Sequence, residues 1–227
     1  MNESDVYREW EPPPQWRHAV ACLWEQRVFA DRTQRVVPDG YADLIFNTDD
    51  TVDVIGVSDE VGLPVLVAGT RLFGIRLHPQ AVGAAFATNA SELLNEAVPA
   101  EDVFGAKRAR HLVDQRSLDG WLCAIEPDDR AARAVHLLKT RSVADTADAL
   151  NVTSRQLQRS LLAEVGLAPK TFQRIARFQR FLHAADGGVA LGRAAVEAGY
   201  ADQAHLTREV GRLSGLTPSR LIAERRT

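Results

Sequence analysis

The sequence has few side chains that can cross-link the fold through disulfides or bind a metal ion. It has two cysteines, Cys22 and Cys123, in 227 residues, which excludes a disulfide framework and a multi-cysteine zinc site. Both are predicted to be buried apolar side chains. The histidines stand singly, without the spacing of metal ligands: His18, His78, His111, His136, His183 and His205. We therefore predict neither a metal nor a cofactor.

Signatures of catalysis are also lacking. The chain contains no Gly-x-Ser-x-Gly, no P-loop and no glycine-rich dinucleotide turn. The adjacent carboxylates Asp49-Asp50 and Asp128-Asp129 would point apart, so we interpret them as turn and helix-start residues. No enzymatic function and no catalytic residue are predicted.

Long hydrophobic runs are absent. No apolar stretch approaches the ~20 residues that span a bilayer, and the first residues, Met-Asn-Glu-Ser-Asp, do not resemble a signal peptide. The sequence predicts a cytoplasmic protein.

Charge divides the chain into two unequal parts. Residues 1–127 carry 11 Lys and Arg against 20 Asp and Glu, a balance of −9, whereas residues 128–227 carry 16 against 10, a balance of +6. An acidic part joined to a basic part is typical of a sensor fused to a DNA-binding domain. Acidity alone is also common for solubility.

The basic part contains one pattern twice. Leu157, Arg159 and Leu161 recur 49 positions later as Leu206, Arg208 and Val210, and Gly166-Leu-Ala-Pro169 recurs at the same offset as Gly215-Leu-Thr-Pro218. Each copy reads as helix, tight turn, helix, with Thr153 and Gln156 as a capping box and Asp202 as an N-cap. This repeat predicts two helix-turn-helix units.

The outer faces of the second helices carry side chains suited to DNA. Arg pairs with guanine and Gln with adenine in the major groove, which admits a helix. The alternative is a solvated polar face. These faces hold Arg155, Gln158 and Arg159 in the first copy, and Gln203, Thr207 and Arg208 in the second.

At these residues the chain resembles a known family. Leu157-Gln-Arg159, the stretch Ala198-Gly-Tyr-Ala-Asp-Gln203 and Gly215-Leu-Thr-Pro218 are similar to the DNA-binding domain of the AraC/XylS family of bacterial transcription regulators. The resemblance covers about residues 128–222. It implies a seven-helix domain with two recognition helices in successive major grooves, and adds Ala204 to the base-reading positions. Where the family usually has aromatics, this chain has Leu161 and Val210.

Phosphate contacts are predicted at the helix starts after each motif. A helix N-terminus suits an anion through its free N–H groups and its dipole, and ordinary capping is the alternative. A helix from Pro169 to Gly187 would separate the two motifs by ~25 Å. Arg174 is predicted to reach a phosphate from the outer face of this helix, with a solvated charge as the alternative. The other predicted contacts are Thr153, Lys170, Thr171, Thr217 and Ser219.

Residues 1–127 are predicted to form a separate regulatory domain of α+β class. Short strands separated by turns precede helices, which favours a small β-barrel or sandwich. Two roles are open: binding of a small molecule, or dimerisation without a ligand. Aromatics in this part either line an effector pocket or fill a core: Trp24, Tyr41, Phe46 and Phe73.

The predicted partners follow from this organisation. Residues 128–227, as an all-α double helix-turn-helix domain, would bind double-stranded promoter DNA. RNA polymerase, a small-molecule effector and a second copy of the chain are further candidate partners.

Overall fold

The structure, a computed structural model, describes residues 6–226. Its first part is built on a six-stranded antiparallel sheet in the order β1-β2-β7-β4-β5-β8. Alternating apolar and polar residues produce these strands, because successive side chains point to opposite faces. The strands are β1 (Val6–Trp10), β2 (Val20–Arg27), β4 (Ala42–Phe46), β5 (Val52–Ile55), β7 (Arg71–Leu77) and β8 (Ala97–Pro99).

A two-stranded sheet lies apart from the large one. Its strands are β3 (Arg32–Thr33) and β6 (Val65–Leu66), and a further bridge joins Val36 to Gly62. We call residues 32–36 and 62–66 the flap. The α+β class is confirmed, and the first part is an open sheet with a flap, because the edge strands β1 and β8 do not pair to close a barrel.

Helices cover one face of the large sheet. Leu44, Ile75 and Leu77 on that face are fully buried. The helices follow a 3₁₀ turn at Pro79–Ala81 and are α1 (Val82–Phe86), α2 (Ala100–Phe104), α3 (Ala106–Leu112) and α4 (Gln115–Cys123), with a second 3₁₀ turn at Ala90–Leu93.

The prediction that both cysteines are buried is wrong, because Cys123 is exposed and Cys22 is half-buried. Strand β1 forms an edge of the large sheet by pairing with β2, and residues 1–5 lie outside the described residues. Asn89 caps the second 3₁₀ turn by accepting from Ser91 N–H.

Within residues 128–226, seven helices form the second part, as the resemblance implied. Side-chain caps at Asp128, Thr153 and Asp202 begin three of them, and Gly199 and Gly215 end two in the left-handed conformation. The helices are α5 (Asp129–Leu138), α6 (Val143–Ala149), α7 (Ser154–Glu164), α8 (Pro169–Asp186), α9 (Leu191–Ala198), α10 (Gln203–Ser214) and α11 (Pro218–Arg225).

The two parts share a continuous hydrophobic core. At position 83, an added Cβ would lie 2.8 Å from the Ala163 carbonyl oxygen, and at position 166 it would lie 2.8 Å from the Ala90 carbonyl oxygen. Gln179 also donates to the Pro38 carbonyl at 2.6 Å. The first helix-turn-helix unit is therefore packed closely against the N-terminal part.

Candidate nucleic-acid interface

The first recognition helix is α7. The capping box is formed: Gln156 N–H donates to Thr153 Oγ1 at 3.2 Å, and Thr153 N–H donates to Gln156 Oε1 at 2.9 Å. Leu157 and Leu161 face inward and are buried. The opposite face exposes Arg155, Gln158 and Arg159, and the two arginines have no ion pair within residues 6–226. Their donors are thus available to a groove of DNA.

The second recognition helix, α10, is built alike. Asp202 accepts from His205 N–H at 2.6 Å to begin the helix. Its inner face is Leu206, Val210 and Leu213, and the predicted base-reading residues are exposed on its outer face: Gln203, Ala204, Thr207 and Arg208. On each of the two recognition helices, the predicted base-reading residues therefore lie together on one exposed face.

Two side chains of α10 have local partners. Thr207 Oγ1 donates to the Gln203 carbonyl at 2.8 Å, so its oxygen lone pairs and its methyl group remain for a partner. His205 packs edge-on against Tyr200 at 5.2 Å between ring centroids. Burial raises the pKa of Tyr200 to about 12, which keeps that hydroxyl neutral.

Helix α8 holds the two units apart. Its 18 residues span ~27 Å at 1.5 Å per residue, comparable with the ~34 Å of one DNA turn. Buried side chains run along its length: Phe172, Ile175, Phe178, Phe181 and Leu182. A helix packed over its whole length is a stiff spacer, which suits the reading of two successive grooves.

The helix starts after each motif carry free N–H groups. Neither α8 nor α11 has a side-chain cap, and each has proline in its first turn. Lys170, Thr217 and Ser219 are exposed beside these ends and Thr171 is half-buried. This is the arrangement in which a helix end binds phosphate. Thr153 differs, because its hydroxyl is engaged in the capping box.

The phosphate contact predicted for Arg174 is corrected by the structure. Its Nε lies 3.1 Å from Glu209 Oε2, which joins α8 to α10, and two of its guanidinium nitrogens are buried. Helical periodicity placed Arg174 on an outer face of α8, but that face is covered by α10. Arg180 is also engaged, because it donates to the Lys139 carbonyl at 2.7 Å and to the Ala198 carbonyl at 3.1 Å.

The four aromatics predicted for an effector pocket do not meet in one cavity. Trp24 lines a cavity of about 390 Å³ between the large sheet and the flap. Tyr41 faces a groove of about 600 Å³ beside α8. Phe46 and Phe73 pack together, with 5.9 Å between ring centroids, on the other face of the sheet. Strand alternation separates these two rings from Trp24. Trp24 lies opposite Gly74 on the neighbouring strand, and the next residue, Phe73, faces the other side of the sheet.

Polar side chains that the sequence analysis missed line the cavity beneath the flap. Trp24 Nε1 donates to Asp43 Oδ1 at 2.7 Å, and Arg76 Nε lies 3.3 Å from the same oxygen. Burial raises the pKa of Asp43, and Arg76 opposes that rise. Gln26 donates to Gln34 Oε1 at 2.5 Å, which ties the sheet to the flap. Polar residues alternating with apolar ones in β2, β4 and β7 were the available signal.

Residues 6–226 offer neither a cluster of metal-ligating side chains nor a membrane-spanning helix. No group of three or more His, Cys, Asp or Glu side chains is arranged to hold a metal ion. No helix in this range is long and apolar enough to cross a membrane.

Comparison with known proteins gives two family matches. Residues 8–99 match a family described as a domain of unknown function (DUF6597), and residues 146–224 match one described as a helix-turn-helix domain. No curated protein matches the chain.

Distant likenesses to solved structures cover nearly the whole chain. An apo variant of ToxT from Vibrio cholerae is 11% identical, covers 98% of both chains and has a TM-score of 0.46. A 1.65 Å structure of ToxT from the same organism is 8% identical, covers 97% of this chain and 98% of that chain, and has a TM-score of 0.48. Likenesses this distant carry no conclusion about this chain.

The double helix-turn-helix fold with two exposed polar recognition faces defines a DNA-binding transcription regulator. The helix-turn-helix match at residues 146–224 agrees with the motifs described above. Residues 146–224 therefore form a domain of the helix-turn-helix family, and their motifs resemble those of the AraC/XylS regulators.

Proposed function

We propose that the protein reads two blocks of a promoter in successive major grooves. Arg155, Gln158 and Arg159 would contact base edges in one block. In the other, the contacts would come from Gln203, Ala204, Thr207 and Arg208. The observation that supports this most strongly is that α7 and α10 expose equivalent faces on either side of the stiff helix α8. The arginines of these faces have no ion pair within residues 6–226.

Phosphate contacts at the helix starts would fix the protein on the duplex. The first turns of α8 and α11 provide them with Lys170, Thr171, Thr217 and Ser219 beside free N–H groups. Contacts of this kind position a protein and carry no sequence information directly. We expect them to make binding salt-dependent.

The division of labour that we propose follows the charge of the chain. Residues 1–127 would form a regulatory domain and residues 128–227 the DNA-binding domain. The mainly apolar cavity of about 390 Å³, with Asp43 and Arg76 among its lining residues, favours a small-molecule effector in the regulatory domain. A thermal shift with a metabolite library would test this, because a ligand that binds only the folded state stabilises it. A concentration-dependent mass without any such shift would favour a homodimer.

Selection of bound sequences from a random duplex pool tests the proposal, with the full-length protein titrated over salt. Two short enriched blocks about one helical turn apart are expected. A single block would reduce one motif to a backbone contact, and no enrichment at any salt concentration would reject sequence-specific reading by the free protein. A promoter found in this way would then allow contact with RNA polymerase to be measured, which we propose as the route to transcription.

Arg208→Ala should weaken binding to the selected sequence by about 1–3 kcal/mol and relax base preference in one block. Its guanidinium is exposed and without an ion pair within the described chain, so its removal leaves the fold intact. Competition binding on selected and random duplexes measures the effect.

The matched control for this substitution is Arg193→Ala. Arg193 has the same charge but lies on α9 and pairs with Glu197 at 2.7 Å. If Arg208→Ala instead weakened binding to random DNA as much as binding to the selected sequence, Arg208 would be shown to contact the phosphate backbone.

A further inference from the structure

The flap has an inner and an outer face. Gln34 and Val36 line the cavity together with Gly62, Pro64 and Leu66 of the facing segment. Since strand side chains alternate, Arg35 points away from the cavity. In this segment Gln34 and Val36 therefore face the cavity, and Arg35 between them faces outward.

Arg35 contacts the carboxyl end of the second recognition helix. Its Nη1 donates to the Ser214 carbonyl at 2.6 Å and its Nε donates to Glu224 Oε1 on α11 at 2.9 Å. The Arg35 side chain is 19% exposed. The last carbonyls of a helix lack partners within it and carry partial negative charge, so a guanidinium there is favourable.

The two helix-turn-helix units are held in different ways. The first is set against the N-terminal part by close backbone approaches at Gly83 and Gly166. The second is joined to α8, and the flap reaches it through Arg35, with Val61 beside Gly215. Movement of the flap would therefore act on the second unit while the first stays in place.

We propose that Arg35 is a positioning residue that fixes the second recognition helix relative to the first and transmits displacement of the flap by a cavity occupant to that helix. Its consequence for DNA rests on the proposed reading of two blocks. A firmly held α10 accepts one spacing between the blocks. An α10 released from Arg35 accepts neighbouring spacings.

The first test measures spacing tolerance. Duplexes carrying the selected blocks with one base pair inserted or deleted are titrated with the wild type, Arg35→Ala and the control Arg71→Ala. Arg71 is an exposed arginine that pairs with Glu25 on the large sheet. One base pair changes the separation and rotates one block about a tenth of a turn.

The wild type and Arg71→Ala should lose about tenfold or more on the altered spacings, in line with a lost bidentate base contact. Arg35→Ala should lose markedly less there. Spacing profiles that coincide for Arg35→Ala and the wild type would overturn the role of Arg35.

The second test needs no DNA. Gly62 has no left-handed backbone requirement, and a Cβ there would lie 3.8 Å from the Val36 Cβ, an ordinary contact on the cavity side. Gly62→Ala should therefore be tolerated, whereas Gly62→Phe, or Gly62→Leu if the larger change prevents folding, fills the cavity in place of a ligand. Amide exchange of the full-length protein is then compared.

Filling the cavity should speed exchange across the carboxyl end of α10 and in α11 about tenfold, the change expected when a charge-assisted hydrogen bond is lost. In the Arg35→Ala background the same substitution should add nothing. An unchanged α10 and α11 in a folded Gly62→Phe or Gly62→Leu protein would overturn the coupling. Intact coupling in a protein that enriches no DNA sequence would instead reject the proposed function alone.

Discussion

Gly166→Ala is expected to lower the free energy of unfolding by about 2–5 kcal/mol, the sum of about 1–2 kcal/mol for left-handed backbone and about 1–3 kcal/mol for overpacking. Gly166 has φ of +84°, and a Cβ there would lie 2.6 Å from Val57 Cγ2 and 2.8 Å from the Ala90 carbonyl oxygen. Both contacts belong to the N-terminal part. The substitution therefore strains the turn and pushes the first helix-turn-helix unit off its support.

The equivalent glycine of the second unit is the matched control. Gly215 has φ of +71°, but a Cβ there would meet Arg35 Nη1 at 3.6 Å, an ordinary contact. Gly215→Ala should cost only the backbone component, about 1–2 kcal/mol. Urea unfolding of the two variants and the wild type measures the difference. Equal destabilisation would contradict the close packing at Gly166.

Glu209→Gln is the second substitution with a large expected effect, a destabilisation of about 2–4 kcal/mol. Removing one partner of a buried ion pair costs about 3–5 kcal/mol, and we lower that range because the side chains of Arg174 and Glu209 remain 23% and 19% exposed. The Arg174 guanidinium, with two nitrogens already buried, would lose its counter-charge between α8 and α10.

Two comparisons make the Glu209→Gln prediction specific. The double substitution Arg174→Met with Glu209→Leu should recover most of the lost stability, because well-packed apolar residues can replace a buried pair. Glu197→Gln breaks the exposed pair with Arg193 and should cost about 0.3–0.5 kcal/mol. Thermal or urea unfolding would measure all three proteins, and a Glu209→Gln protein as stable as the wild type would show the pair to be dispensable.

The helix-turn-helix part was predictable because its signals are local. Caps, turn glycines and a 3.6-residue apolar period all lie within each unit, so Thr153, Asp202 and Gly215 could be assigned from the sequence. The repeat then placed the two outer faces without knowledge of tertiary contacts.

What the sequence did not predict depends on contacts between distant segments. Arg174 was placed on an outer surface, and its partner Glu209 lies 35 positions away on a helix whose crossing cannot be read from periodicity. Pairing of strands distant in sequence likewise decides that Trp24 and Phe73 lie on different faces of the sheet.

The continuous core changes where the chain can be divided for the making of chimaeras. A cut near residue 127 follows the change in charge, but it would separate α7 and α8 from the N-terminal residues against which they pack. A graft that exchanges sensors between relatives should therefore carry the first motif and α8 along with the sensor, and join at Gly187-Gly188. At that junction the first unit keeps its packing against the sensor, whereas the contacts of α8 with the second unit, the Arg174–Glu209 ion pair among them, must be rebuilt by residues of the recipient.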